Sequence, residues 1–209
     1  MKFYDCAVAP SPRRVRIFLA EKCIELPVVQ VDLRAGEQLS EEFRAINPDC
    51  TVPVLELDDG TRITEAFAIC QYLEAVHPEP PLMGRDPAEA ALVTMWNARI
   101  EQHGLAAFAE LFRNFHKGFR GRAVPGAVDC EQIPALVERG RKRGDAFFNR
   151  LDQHFAGSDY VVGGEFSLAD ITALVGVDFA AWSKIEIGPE RPHLRAWHDR
   201  VSARPSAKA

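Results

Sequence analysis

The sequence predicts two domains: an α/β domain over residues 1–77 with element order βαβαββα, and an all-helical domain over 87–209, joined by a linker at 78–86. Three observations carry this. Short apolar runs alternate with helically spaced apolar residues as far as His77. Pro78-Glu79-Pro80-Pro81 then forbids a continuing helix and favours an extended connection. Beyond Pro87 every periodic stretch has helical spacing.

Each element of the first domain has a local reason. Lys2 to Cys6 is a short apolar-rich strand, and Arg13 to Lys22 places Val15, Phe18 and Leu19 on one helical face. Ser11 is suited to cap that helix and Pro12 to open it. Pro27 to Val31 reads as a second strand, and Ser40 to Ile46 as a short helix carrying Phe43 and Ile46. Val54 to Leu57, the Asp59-Gly60 turn and Arg62 to Thr64 form a hairpin. Ala66 to His77 is helical, with Ile69, Tyr72, Leu73 and Val76 on one side. Val52-Pro53 stands where a strand begins. Proline cannot donate to a sheet ladder, and a cis bond costs only ~0.5–1 kcal/mol there. An ordinary trans proline and a cis proline that frees the Val52 backbone for an extended peptide-like ligand both fit.

In the second domain one long pattern runs from Pro87 to about Phe119, through Leu92, Trp96, Ile100, Leu105, Phe108 and Phe112. A Gly/Pro-containing stretch from Gly118 to Gly126 interrupts it. A second helix runs from about Ile133 to Phe155 with Pro134 in its first turn. A third starts at Ser167, where Ser167-Leu168-Ala169-Asp170 is a capping box with Asp at its third helical position, and Phe166 and Ile171 are placed as a hydrophobic staple. The last covers Pro192 to Ala203, ended by Pro205.

Composition narrows the functional classes. The chain has 209 residues, 47% hydrophobic and 26% charged, which argues for a packed globular protein and against disorder. A net charge of −5 gives no general attraction for nucleic acid or anionic membrane. No apolar run approaches the ~18 residues of a membrane span. Met1 to Cys6 lacks a signal-peptide core. Five cysteines without a CxxC pair fit free thiols in a reducing compartment, so a cytoplasmic location is expected. HExxH, paired-Cys, Walker and GxGxxG patterns are absent, so no metal or nucleotide site is expected.

Four motifs stand in order: Asn47-Pro48 to Val52-Pro53, Thr64-Glu65 opening a helix, Ala68-Ile69 to Tyr72-Leu73 within it, and the Ser167 cap. Together with the βαβαββα order and the helical second domain, they resemble the cytosolic glutathione transferases. The stretch Tyr4 to Glu21 is similar to bacterial members akin to the theta and nu classes. The match covers nearly the whole chain. It implies a thioredoxin-like first domain, an all-α second domain, glutathione as co-substrate, a small, largely apolar electrophile as second substrate, and a homodimer.

The resemblance assigns roles residue by residue. The glutathione γ-glutamyl carboxylate would meet the free N–H groups at Glu65-Ala66, with Glu65 facing the ammonium; Ala66 stands where a Ser is usual, so one hydroxyl contact is lost and the backbone N–H kept. Val52, with Pro53 cis, would pair with the cysteinyl backbone, and Gln38 would meet the glycyl carboxylate. The thiol, of ordinary pKa ~8.5, would be ionised at the helix start near Ser11, because Ala9 occupies the place where many relatives carry the activating hydroxyl. Helix dipole and a charged hydrogen bond together supply roughly one to three pKa units. Ser11 as a mere cap, and Cys6 as the activating group, remain alternatives. Arg99, His103, Phe112 and His116 would face the second substrate, on a helix whose Phe-rich stripe also reads as core. Two other functions fit the same fold: a glutathione-dependent peroxide or disulfide reductase, and a non-catalytic binding or scaffold protein.

Overall fold

The computed structural model describes all residues, Met1–Ala209. The chain divides into two compact units: Met1–Pro80 with Pro125–Val128 and Ala209, and Pro81–Val124 with Asp129–Lys208.

The first unit is a four-stranded sheet of order β2-β1-β3-β4, built from β1 (Lys2–Asp5), β2 (Val28–Gln30), β3 (Val54–Glu56) and β4 (Arg62–Thr64). β1 and β2 run parallel across α1 (Pro10–Glu21); β3 runs antiparallel to both β1 and β4. α2 (Glu41–Ile46) precedes β3, and α3 (Ala66–Val76) follows β4 and packs on α1. Most of the apolar faces read from sequence are inside: Val15, Phe18, Ile69 and Leu73 are fully buried, joined by Ile17, whereas Val76, in the last turn of α3, is exposed; Tyr4, Val31, Phe43 and Val54 form a second cluster against α2. Tyr4 meets Phe43 edge-on at 6.3 Å, so it is a core residue.

α1 begins earlier than expected. Its N-cap is Ala9, in extended conformation and without a capping side chain, and Pro10 rather than Pro12 opens the helix. Two prolines fit the first turn because N–H groups there have no intrahelical acceptor. Ser11 is therefore the second helical residue and not the cap. By contrast, Ser40 caps α2, its Oγ accepting from the Phe43 N–H at 3.1 Å.

At the far end of α1, the fully buried Lys22 ammonium pairs with Glu74 at 2.6 Å. It also donates to the carbonyls of His77 and Pro80, at 2.7 Å each. One cation thus ties α1 to the end of α3 and to the chain leaving the unit.

The second unit is all helical: α4 (Pro87–Ile100), α5 (Ala106–Phe115), α6 (Pro134–Phe155), α7 (Leu168–Ala181) and α8 (Pro192–Ser202). The single long helix expected over 87–119 is interrupted by a π-helical turn, Glu101–Leu105, and its α-helical part ends at Phe115. A π turn leaves a carbonyl without its usual acceptor role in the ladder; here the Arg143 guanidinium donates to the Gln102 carbonyl at 2.6 Å. α5 and α6 approach closely because three contact positions lack a Cβ. One built on Gly140 would stand 2.8 Å from the Ala107 carbonyl, and one on Gly144 2.5 Å from the Phe108 ring. Likewise, one on Gly104 would stand 2.6 Å from the Phe147 ring.

The Ser167 cap is formed: both halves of the capping box with Asp170 are present. Asp170 does more than cap. Its carboxylate, fully buried, accepts from Val161 N–H at 2.9 Å, Ser167 N–H at 3.1 Å, Ser167 Oγ–H at 3.0 Å and Trp197 Nε1–H at 3.0 Å. Burial pushes its pKa up to about 6 against the pull of those four donors.

Candidate active site

The strand register brings the predicted residues of the first unit to one end of the sheet. Tyr4 lies opposite Val54, and Val54 opposite Thr64. At ~4.8 Å between neighbouring strands, the three span about 10 Å. One step further along each chain stand Asp5-Cys6, leading to α1; Val52-Pro53, entering β3; and Glu65-Ala66, opening α3. β2, parallel to β1 with Asp5 opposite Gln30, sends its following loop, which contains Gln38, from the same end.

Each of these segments is short of partners. At α1, Pro10 and Pro12 have no N–H, and the Arg13 N–H bonds the Ala9 carbonyl at 3.3 Å. That leaves the Ser11 N–H as the one open backbone donor of the first turn, beside an exposed Ser11 hydroxyl that makes no hydrogen bond. The Val52–Pro53 peptide is cis, and neither backbone group of Val52 takes part in the sheet or in a turn. Asn47, buried beneath this segment, shapes it: its Nδ2 donates to the Thr51 carbonyl at 2.8 Å and its Oδ1 accepts from Asp49 N–H at 3.1 Å.

Glu65 caps α3 through its backbone alone, with φ 64° and ψ 120° and no side-chain bond. A non-glycine residue there carries strain of ~1–3 kcal/mol. The result is an exposed, unpaired carboxylate beside the uncapped N-terminus of an 11-residue helix, where Ala66 itself is buried. Gln38 lies in a 3₁₀ turn, Glu37–Leu39; its Oε1 is buried without a donor and its Nε2 bonds nothing in the protein. Cys6 is buried, so it presents no open thiol at this edge, and its carbonyl accepts from the Ala9 N–H and Arg16.

In the second unit the four expected residues do not gather at one point. Arg99 lies over the Trp96 ring at 5.4 Å, and His103 is exposed on the π turn. Phe112 and His116 stack at 5.4 Å. At ~1.5 Å per residue, Arg99 and His116 are about 25 Å apart along the helix axis, too far for one small ligand. Phe112 is instead the centre of an aromatic cluster with Phe119, Phe179 and Trp182, whose rings stand 5.3, 5.5 and 5.7 Å away. Trp182 is half exposed, so the cluster opens to solvent. The sequence does not single out Phe179, and the α5–α7 proximity that makes it part of the cluster is tertiary.

Arg113 supports this wall. Its guanidinium lies 4.4 Å from the Phe119 ring and donates to the Arg122 and Val124 carbonyls. Burial, with the nearby Arg122 charge, lowers its pKa to about 10, so it stays a cation at neutral pH.

A β2-β1-β3-β4 sheet with a cis-proline entering β3, followed by a helical unit, defines a thioredoxin-like domain with an all-α partner domain. Residues 9–76 match the sequence model of the glutathione S-transferase N-terminal domain, and residues 109–205 that of the C-terminal domain. The chain is 38% identical to glutathione S-transferase 2 of Saccharomyces cerevisiae, over all of this chain and 88% of that one. It is 32% identical to maleylacetoacetate isomerase of Rattus norvegicus over 84% of this chain and 76% of that one. A crystal structure of a glutathione S-transferase domain-containing protein from Marinobacter aquaeolei superposes with a TM-score of 0.91 at 39% identity, covering 99% of each chain. The chain belongs to the glutathione S-transferase family and is a glutathione transferase by that membership. No helix is long and apolar enough to cross a membrane.

Proposed function

We propose that the protein binds glutathione at the sheet end formed by Ser11, Gln38, Val52, Pro53, Glu65 and Ala66, and transfers its thiolate to small, largely apolar electrophiles. The observation that carries this is that a free strand entry at Val52 and the side-chain-uncapped start of α3 lie at the sheet end from which the chain runs on to the side-chain-uncapped start of α1. Glutathione offers complementary chemistry to each part. Its γ-glutamyl carboxylate suits the open N–H groups of α3, and its ammonium suits the unpaired Glu65 carboxylate. The cysteinyl amide suits the free backbone of Val52, and the glycyl carboxylate the open Nε2 of Gln38. The thiol then lies toward the start of α1, where Ser11 offers its N–H, its hydroxyl and the dipole.

In this reading the sulfur loses its proton to solvent, and Ser11 holds the anion. The thiolate attacks the electrophilic carbon directly, the leaving group departs with the bonding pair, and no covalent enzyme intermediate forms. The protein supplies orientation and charge stabilisation. Within the second unit, the open aromatic cluster of Phe112, His116, Phe119, Phe179 and Trp182 is an apolar surface whose chemistry suits an aryl or alkyl group; Arg99 and His103 stand apart from it. Family membership supports a cytoplasmic homodimer as the working form.

The test is Ser11→Ala. The loss of a charged hydrogen bond of ~1.5–3 kcal/mol should move the pH–rate curve for an aryl halide upward by about one to two units. An unmoved curve removes the hydroxyl from the mechanism. Turnover of a model disulfide, with none of the aryl halide, would replace conjugation by reduction at the same site.

A further inference from the structure

The loop between β1 and α1, Cys6 to Ala9, sets where α1 begins, yet it has little apolar anchorage: Ala7 is exposed and Val8 is 53% exposed. Its backbone is held by side chains instead. Arg16, from the second turn of α1, donates to the Cys6 carbonyl at 3.3 Å and to the Ala7 carbonyl at 2.9 Å. The same guanidinium pairs with Asp5 Oδ1 at 2.6 Å. Gln30, on β2, donates from Nε2 to Asp5 Oδ2 at 2.7 Å, while its Oε1 accepts from the Ala7 N–H at 3.0 Å. Asp5 is 1% exposed. One buried carboxylate therefore orients two forked side chains, and together those two grip both carbonyls and the N–H of the loop's first residues.

We propose that Asp5, Arg16 and Gln30 form a positioning network for thiol activation: they fix the β1–α1 loop so that the Ser11 N–H and hydroxyl point at the sulfur. This deepens the preceding section and rests on its reading of Ser11. Ala9 provides no capping side chain, and both prolines of the first turn lack N–H groups, so no cap holds the first turn; buried Pro12 packs it, and the network fixes the polar backbone that leads into it. A charged hydrogen bond loses strength steeply when its distance or angle is relaxed, and a site loosened by ~1 Å loses much of its effect. Arg16 also requires its planar fork: a lysine there keeps the charge opposite Asp5 but, as a single point, does not span a carboxylate and two carbonyls at once.

The experiment uses the full chain with two variants. Arg16→Lys keeps the charge and removes the fork. Gln30→Met, at an exposed position, changes no charge and frees the Ala7 N–H. The ultraviolet absorbance of the thiolate of bound glutathione is titrated with pH, and binding of S-methylglutathione, which has no ionisable thiol, is measured in parallel. Each variant should raise the apparent pKa of the bound thiol by about one unit, a roughly tenfold loss of thiolate below it. S-methylglutathione affinity should stay within about twofold, well under the 1.4 kcal/mol of a tenfold change. Variants that fold and bind with the thiol pKa unmoved overturn the proposal, as does an equal loss of affinity for both ligands. If Arg16→Lys does not fold, Gln30→Met decides alone. A wild-type protein that leaves the bound thiol at its ordinary pKa would sink the Ser11 reading and this proposal together, whereas a lowered wild-type pKa that neither variant moves overturns only the network.

Discussion

Asp170→Asn should abolish the protein's response to mild acid at one identifiable group. The wild-type carboxylate is buried, accepts four hydrogen bonds, and has its pKa raised from 3.8 to about 6. Because the folded value lies above the unfolded one, protonation favours the folded state. The stability it contributes is fully present below pH 3.8 and is lost as pH rises through about 6. At pH 7 the folded chain bears the whole cost of the ionised form, about two units, or roughly 3 kcal/mol. By pH 5, one unit below the folded pKa, about 1.4 kcal/mol of it is recovered. Asparagine does not titrate, so subtracting its stability removes the contribution of every other group. Urea unfolding of both proteins at several values between pH 7.5 and 5 gives the difference. The wild type should gain about 1.4 kcal/mol on the variant as pH falls. Parallel curves would show that the four donors balance burial, and a wild type that loses ground in acid that they outweigh it; either result refutes a raised pKa.

Other perturbations test separate features. Lys22→Met removes the buried cation that joins Glu74 to the His77 and Pro80 carbonyls, and should cost about 3–5 kcal/mol in chemical denaturation; adding Glu74→Leu should return part of it. Gly140→Ala should destabilise by ~1–2 kcal/mol in spite of alanine's better helix propensity, because its Cβ meets the Ala107 carbonyl at 2.8 Å; a raised Tm would show that α5 shifts freely. Glu65→Gly should stabilise the unliganded protein by ~1 kcal/mol through relief of a φ of 64°, and weaken glutathione binding, as seen by calorimetry. Gained affinity would take Glu65 out of the site. Trp182→Ala should raise KM for an aryl acceptor several-fold and leave the KM for glutathione unchanged, since the indole lies 5.7 Å from Phe112 in the aromatic cluster.

Much of this molecule is a local matter. Val15, Phe18, Ile69 and Leu73 reach the core because their spacing gives each helix one apolar face, and the three-residue loop Asp58-Asp59-Gly60 closes its hairpin between Leu57 and Thr61. The Ser167–Asp170 cap needs only four consecutive residues, and it forms. Where α1 starts was not local. Ser11-Pro12 satisfies the rules for a helix opening better than Ala9-Pro10, yet α1 starts at Pro10, after a loop whose backbone is bonded by Arg16 of the helix and Gln30 of β2, both oriented by Asp5. The π turn at Glu101–Leu105 escapes a period count because it shifts the helix by a single residue.

The second role of Asp170, bonding Val161 and Trp197, joins positions that no sequence window contains. The same holds for the candidate site. Single motifs named Ser11, Val52 and Glu65, but that Val52 and Glu65 lie at the sheet end from which the chain runs on to Ser11 follows from the β1-β3-β4 register. Arg99 and His116, read together from one stripe, are separated because a helix advances ~1.5 Å with every residue. Sequence by itself determined the elements and their inward faces, since these depend on near neighbours. Tertiary structure decided which ends meet and which polar groups are left open, since those depend on strand pairing and on partners far along the chain.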